Sequence, residues 1–156
     1  VLGLCCHFFF DGTEHLNMLS RRTDHIQKIA EFGTEPILDA CFRNLIQGCR
    51  EIPWDKLCHL DAALRHNIRH NAPALTAYHD ELIDELFAVM LENNIALEVN
   101  TSGYELRPHP YPAPPLIQRA QQLGISLIIG SDAHRPEQVG RFFARAAEEL
   151  RRYEHP

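Results

Sequence analysis

Apolar and polar positions along this chain fall into blocks whose periods name their structures. Residues 1 to 10, VLGLCCHFFF, are apolar and end at Asp11-Gly12, which predicts a strand finishing near His7. A polar stretch with helical potential, roughly 13 to 32, leads to Gly33. Pro36 then opens a helix through about Arg50, because Ile37, Leu38, Cys41, Phe42, Leu45, Ile46 and Cys49 recur as one face of a 3.6-residue period. Trp54 to His59 is a second, short strand, followed by a polar loop rich in His and Asn from 61 to 72. From Pro73 to about Asn93, Leu75, Tyr78, Leu82, Leu86, Val89 and Met90 again have helical spacing, and Asn93-Asn94 stops the helix. Ile95 to Val99 is the third strand. It runs into Asn100-Thr101-Ser102-Gly103 and the proline-rich RPHPYPAPP, which enters a helix ending at Leu123-Gly124. Ile125 to Ile129 is the fourth strand, and Pro136 to about Tyr153 closes the chain as one or two helices.

This alternation of strands and helices, with strands apolar nearly throughout, predicts an α/β fold. Its parallel sheet would be covered by helices and either open or closed into a barrel. Length agrees with one domain: 156 residues at 45% hydrophobic can bury a core. The formal charge of -6, without a long basic stretch, argues against nucleic acid or an anionic membrane as partner and favours a small one. Five cysteines in no CxxC pair read as reduced thiols of a cytoplasmic protein. No apolar run approaches the ~20 residues a membrane helix needs. A start without methionine, inside a predicted buried strand, is expected of a chain whose upstream strands are missing.

The chemistry gathers where strands end. His7, His59 with Asp61, Glu98 with Asn100, and Asp132 with His134 each close an apolar run. In parallel α/β folds the C-terminal edge of the sheet carries ligands and catalysis, so these endings converge on one pocket. Imidazoles and carboxylates without a cysteine quartet suit zinc, manganese or iron with open positions, a hydrolytic arrangement. Asp132 and His134, two apart on extended backbone, would point the same way. Cys5, Cys6 and Cys58, beside the histidines, could be extra ligands but read rather as small buried hydrophobes. His15, His25, His66, His70, His79, His109 and His155 read as solvated, with His109 the best exception. A covalent triad finds no support: Cys58 and His59 are sequence neighbours, and Ser102 and Ser131 lie in no G-x-S-x-G elbow. Arg107, Arg135 and Arg65 follow strand ends on loops, where an arginine fork can hold phosphate oxygens.

The run LEVNTSGYELR, YPAPPLIQRAQQLGISLIIGSDAHRPEQVGRFF resembles the C-terminal signature of the PHP (polymerase and histidinol phosphatase) family, closest to its histidinol-phosphatases. HLD at 59 to 61 and CCHF at 5 to 8 match two earlier family motifs. The resemblance implies that residues 1 to 156 form a single PHP-type domain, part of a distorted (β/α)7 TIM-like barrel lacking its N-terminal strands. It implies a site of up to three divalent metals, with His7, His59, Asp132 and His134 as ligands, and phosphate contacts near Arg107 and Arg65. The family reaction is hydrolysis of L-histidinol phosphate in histidine biosynthesis. The opening H-x-H motif, a second histidine motif and a bridging glutamate have no counterpart here, and the resemblance gives Glu98 a structural role. Weak metal affinity and little activity are therefore expected of these residues alone. Two other readings stay open: a PHP phosphoesterase acting on nucleotides or nucleic-acid ends, and a non-catalytic domain that binds through the remaining pocket. Exposed sheet edges predict self-association.

Overall fold

The structure, a computed structural model, describes residues 1–69 and 75–154. His70 and His155 lie outside the described residues, as do the side chain of His66 and the expected helix start at Pro73. Four parallel strands form the main sheet: β1 (Gly3–Leu4), β4 (Lys56–Leu57), β5 (Ala96–Asn100) and β6 (Leu127–Gly130), in the order β1-β4-β5-β6. The strands pair in the order in which the chain makes them, as successive staves of a barrel wall do. Among the described residues the sheet has these four strands, so barrel closure is not a property of this wall.

The first apolar run divides into two structures. Only Gly3 and Leu4 join the sheet, while β2 (Phe8–Phe10) folds back antiparallel on β3 (His15–Asn17). Asp11 makes the reversal. Its Oδ1 accepts hydrogen bonds from the N–H groups of Thr13 at 2.7 Å and Glu14 at 2.8 Å, an Asx turn that extended pairing with the sheet cannot offer. These bonds to the ionised form, the one from the Glu14 N–H first among them, hold the Asp11 carboxyl below its usual range. The predicted helix over 13 to 32 is therefore shorter, α1 (Thr23–Phe32), because β3 takes its beginning.

α2 (Thr34–Glu51) and α3 (Ala77–Glu92) carry most of the core. The predicted stripe of α2 is buried at every position from Ile37 to Cys49. It packs with Leu82, Ile83, Leu86, Phe87 and Met90 of α3 over Leu57 and Leu97 of the sheet. Each such side chain contributes about 1.5–3 kcal/mol of transfer free energy. α4 (Pro114–Gln122) and α5 (Phe143–Glu154) cover Val99 and the β6 end of the sheet.

The sheet's period of two sorts its faces. Leu4, Leu57, Leu97, Val99, Leu127 and Ile129 meet the helices. Gly3, Lys56, Glu98, Ile128 and Gly130 occupy the other face, called the inner one below. That inner face is polar, with buried Glu98 ion-paired to Lys56 and accepting a 2.9 Å hydrogen bond from Asn100 Nδ2. Gly130 is a glycine because of this carboxylate: a Cβ there would come within 2.8 Å of Glu98 Cδ. No helix among the described residues is long and apolar enough to cross a membrane.

Candidate active site

Because all four strands run the same way, their C-terminal ends share one edge, and His7, His59, Asn100 and Asp132 follow them there. His7 is held by the hairpin: its carbonyl accepts from the Met18 N–H at 2.8 Å, which continues the β2–β3 pairing. His59 and Asp132 both have left-handed backbone, with φ of 30° and 48°. Non-glycine residues rarely stay there unless their surroundings hold them, and such positions collect at functional sites.

His7 and His59 converge. Their rings stack at 5.1 Å between centroids, with Nε2 3.2 Å from Nε2. Cys5 Sγ joins them, so that the three donor atoms lie within 4.8 Å of one another. Burial, and then the neighbouring His59, push the pKa of His7 below its ordinary value, with Asp132 opposing. Its ring is thus biased toward the neutral form, the form that binds metals. The Cys5 thiol moves the other way, raised by partial burial and by Cys6, Asp132 and Glu98 around it. Against the expectation of small buried hydrophobes, Cys5 is exposed and Cys6 and Cys58 are half-buried. Burial and Glu98 raise Cys58 to about 12.

Asp132 and His134 form the other side. β6 ends at Gly130, so the alternation expected on extended backbone stops before Asp132, whose positive φ turns the chain. His134 Nε2 nevertheless lies 3.7 Å from Asp132 Oδ1, with its side chain 83% exposed. Ser102 Oγ donates to Asp132 Oδ2 at 3.4 Å. Thr101 Oγ1 donates to Arg141 O at 2.7 Å and reaches Gly130 O at 3.2 Å, tying the loop after β5 to the one after β6.

A cleft of about 160 Å³ joins the two sides, with His59, Asp132 and His134 among its lining residues. Arg21, Arg65 and Arg141 bring positive charge into it. Arg65 Nη1 donates to Leu19 O at 3.3 Å. Arg141, not foreseen from the sequence, pairs with Glu105 and donates from Nε to Ser131 O at 3.1 Å, bracing the turn that presents Asp132. Its only sequence signal is its place in the same GSDAH to GRFF run.

Two of the expected arginines are elsewhere. Arg107 is buried, its Nη2 donating to Asp61 Oδ1 at 2.7 Å and Pro110 O at 2.8 Å, with the guanidinium 3.7 Å above the Tyr111 ring. Its charge is spent on Asp61, and it does not line the cleft. Arg135 is exposed outside the cleft lining. Among the histidines expected in solvent, His79 is buried, as the residue whose ring accepts from the Thr76 N–H at the start of α3.

The donor chemistry fits a divalent ion. For two imidazole nitrogens at ~2.0–2.1 Å from a tetrahedral centre, the nitrogens stand about 3.3 Å apart, close to the separation of His7 and His59. A direct hydrogen bond between the two would require one ring to donate, whereas an ion accepts a lone pair from both.

No family model matches the chain. A protein of Deinococcus radiodurans named "Probable histidinol-phosphatase" is 43% identical over 134 residues, covering 82% of this chain and 48% of its own length. A protein of the same name from Thermotoga maritima is 29% identical over 103 residues, covering 65% of this chain and 42% of its own. The chain spans about half the length of these curated relatives. The crystal structure of a protein provisionally assigned as histidinol phosphatase HisK, from Listeria monocytogenes, superposes with a TM-score of 0.80 over 92% of this chain and 56% of its own. At 18% identity that likeness speaks for the fold alone.

Proposed function

Since the chain belongs to the PHP family, among its histidinol-phosphatase-like members, we propose that its protein is a metal-dependent phosphomonoesterase acting on L-histidinol phosphate. The observation that carries this reading is the convergence of His7 Nε2 and His59 Nε2 to 3.2 Å beside an arginine-lined cleft at the C-terminal sheet edge. His7, His59, Asp132 and His134 would hold divalent ions, zinc, manganese or iron, up to three in the complete site. Bound there, the metal supplies charge to polarise phosphoryl oxygens and to acidify water near neutral pH.

The chain's own residues supply the rest. Arg65 and Arg141 present N–H donors to the phosphate oxygens, where charge accumulates as the bond to phosphorus breaks. Arg141 also holds the 131–132 turn, which couples substrate charge to the position of Asp132. Ser102 steadies the Asp132 carboxylate from the loop after β5. Leu19, Leu106 and Tyr111 give the same cleft an apolar part of its wall. His134, beside Asp132 at the exposed mouth, would complete the ligand set from the far side of the cleft.

The test is phosphate release by the intact protein from L-histidinol phosphate, p-nitrophenyl phosphate and a mononucleotide, with zinc or manganese and after chelation. The proposal predicts chelator-sensitive release, fastest from L-histidinol phosphate. Equal rates on all three would remove the substrate assignment, and release that survives chelation would remove the metal.

A further inference from the structure

We propose that Cys5 is a metal ligand: its thiolate joins the imidazoles of His7 and His59 in a three-point, sulfur-containing site that favours zinc over manganese. The proposal rests on the metal reading of the cleft, though not on its hydrolytic chemistry.

Past the end of β1, Cys5 and Cys6 face opposite sides of the sheet. Cys6 turns to the helix side, where it packs against the core and its Sγ donates to Phe8 O at 3.8 Å. Cys5 and His7 share the inner side, and His59 meets them from the end of β4. Three donor atoms within 4.8 Å of one another, two of them 3.2 Å apart, can close on a single ion with small rotamer changes. Zinc accepts thiolate at ~2.3 Å and imidazole at ~2.0–2.1 Å in the same shell. Manganese prefers oxygen donors, so a sulfur in the set biases the choice of ion. Cys58 is the nearest alternative thiol on this face, and it sits deeper. Its Sγ would be 2.6 Å from a Cβ at Gly3, and Cys5, His7 and His59 form the group without it. The partial exposure of Cys5 leaves the fourth position open to solvent or substrate, as a catalytic rather than a sealed structural ion requires.

The intact protein, loaded with cobalt(II), separates the possibilities through the near-ultraviolet charge-transfer absorption of a thiolate bound to the metal. The expected result is a band in the native protein and in Cys58→Ser, abolished in Cys5→Ser. Zinc affinity should fall about ten- to a hundredfold in Cys5→Ser, the scale on which losing one group that supports an ion lowers affinity. Manganese affinity should stay unchanged. Cobalt binding without the band, or a band that survives in Cys5→Ser, overturns the proposal while leaving a metal at the histidines. Failure to bind cobalt at all removes this proposal and the metal reading together. A band with no phosphate release from L-histidinol phosphate supports the Cys5 ligand and refutes the phosphatase reading alone.

Discussion

Two polar clusters lie along the same sheet edge and are built in opposite ways. Around Asp61 and Arg107 the two charges answer each other from within: the carboxylate takes the guanidinium on one oxygen and the Ala113 N–H, at 2.9 Å, on the other, and both side chains are all but dry. Around His7, His59, Asp132 and His134 the groups approach one another without being satisfied. Two ring nitrogens face each other, a carboxylate sits beside an exposed imidazole, and the backbone at His59 and Asp132 is held in left-handed conformation. The first cluster locks the proline-rich loop to the end of β4; the second is the one proposed to take a divalent ion. Stability and function thus divide within one sheet edge, and removing a charge should do quite different things in the two places.

The largest effect on folding is expected at the lock. Asp61→Ala leaves the Arg107 guanidinium buried and unpaired, and should cost about 3–5 kcal/mol, read as a lowered midpoint in urea unfolding. Adding Arg107→Met to that variant should recover much of the loss; a double variant no better than the single would mean that the loop, not the ion pair, carries the stability. In the cleft, His59→Ala should lower zinc affinity by about ten- to a hundredfold or more in a competition titration. Its unfolding midpoint should move little, and a large drop would make His59 part of the lock instead. Gly130→Ala lies between the two regions. Glu98 is pinned by Lys56 and Asn100 and cannot retreat from a new methyl group, so a loss of about 1–3 kcal/mol is expected in thermal unfolding. The smallest change is predicted for His134→Ala: at 83% exposure its stability should stay within about 0.5 kcal/mol of the native value, while phosphate release slows. A substantially less stable His134→Ala would erase the contrast between the clusters.

Much of this was legible in the sequence where the signal is periodic. The α2 stripe from Ile37 to Cys49 is buried position by position, and the strands leading to His59, Asn100 and Asp132 are where their apolar runs placed them. What escaped depends on partners distant in the chain. Nothing local in VLGLCCHFFF says that pairing to the sheet stops at Leu4; that is decided by the Asx turn at Asp11 and the partner strand at His15–Asn17. Arg107 and Arg141 are both arginines on loops near strand ends. Only the fold reveals that Asp61 and Tyr111 enclose the first, while the second reaches the cleft past Ser131. The nearness of Cys5 to His7 in the chain was readable, but its meaning required His59 from 52 residues further on.

The central claim is that the facing histidines hold a divalent ion, and metal content per chain tests it most directly. Intact protein purified with zinc or manganese present, then dialysed and measured by inductively coupled plasma mass spectrometry, should retain stoichiometric metal. The His7→Ala, His59→Ala double variant, shown by circular dichroism to be folded, should have lost it. Equal metal in the two proteins, or none in the native one, would contradict the account.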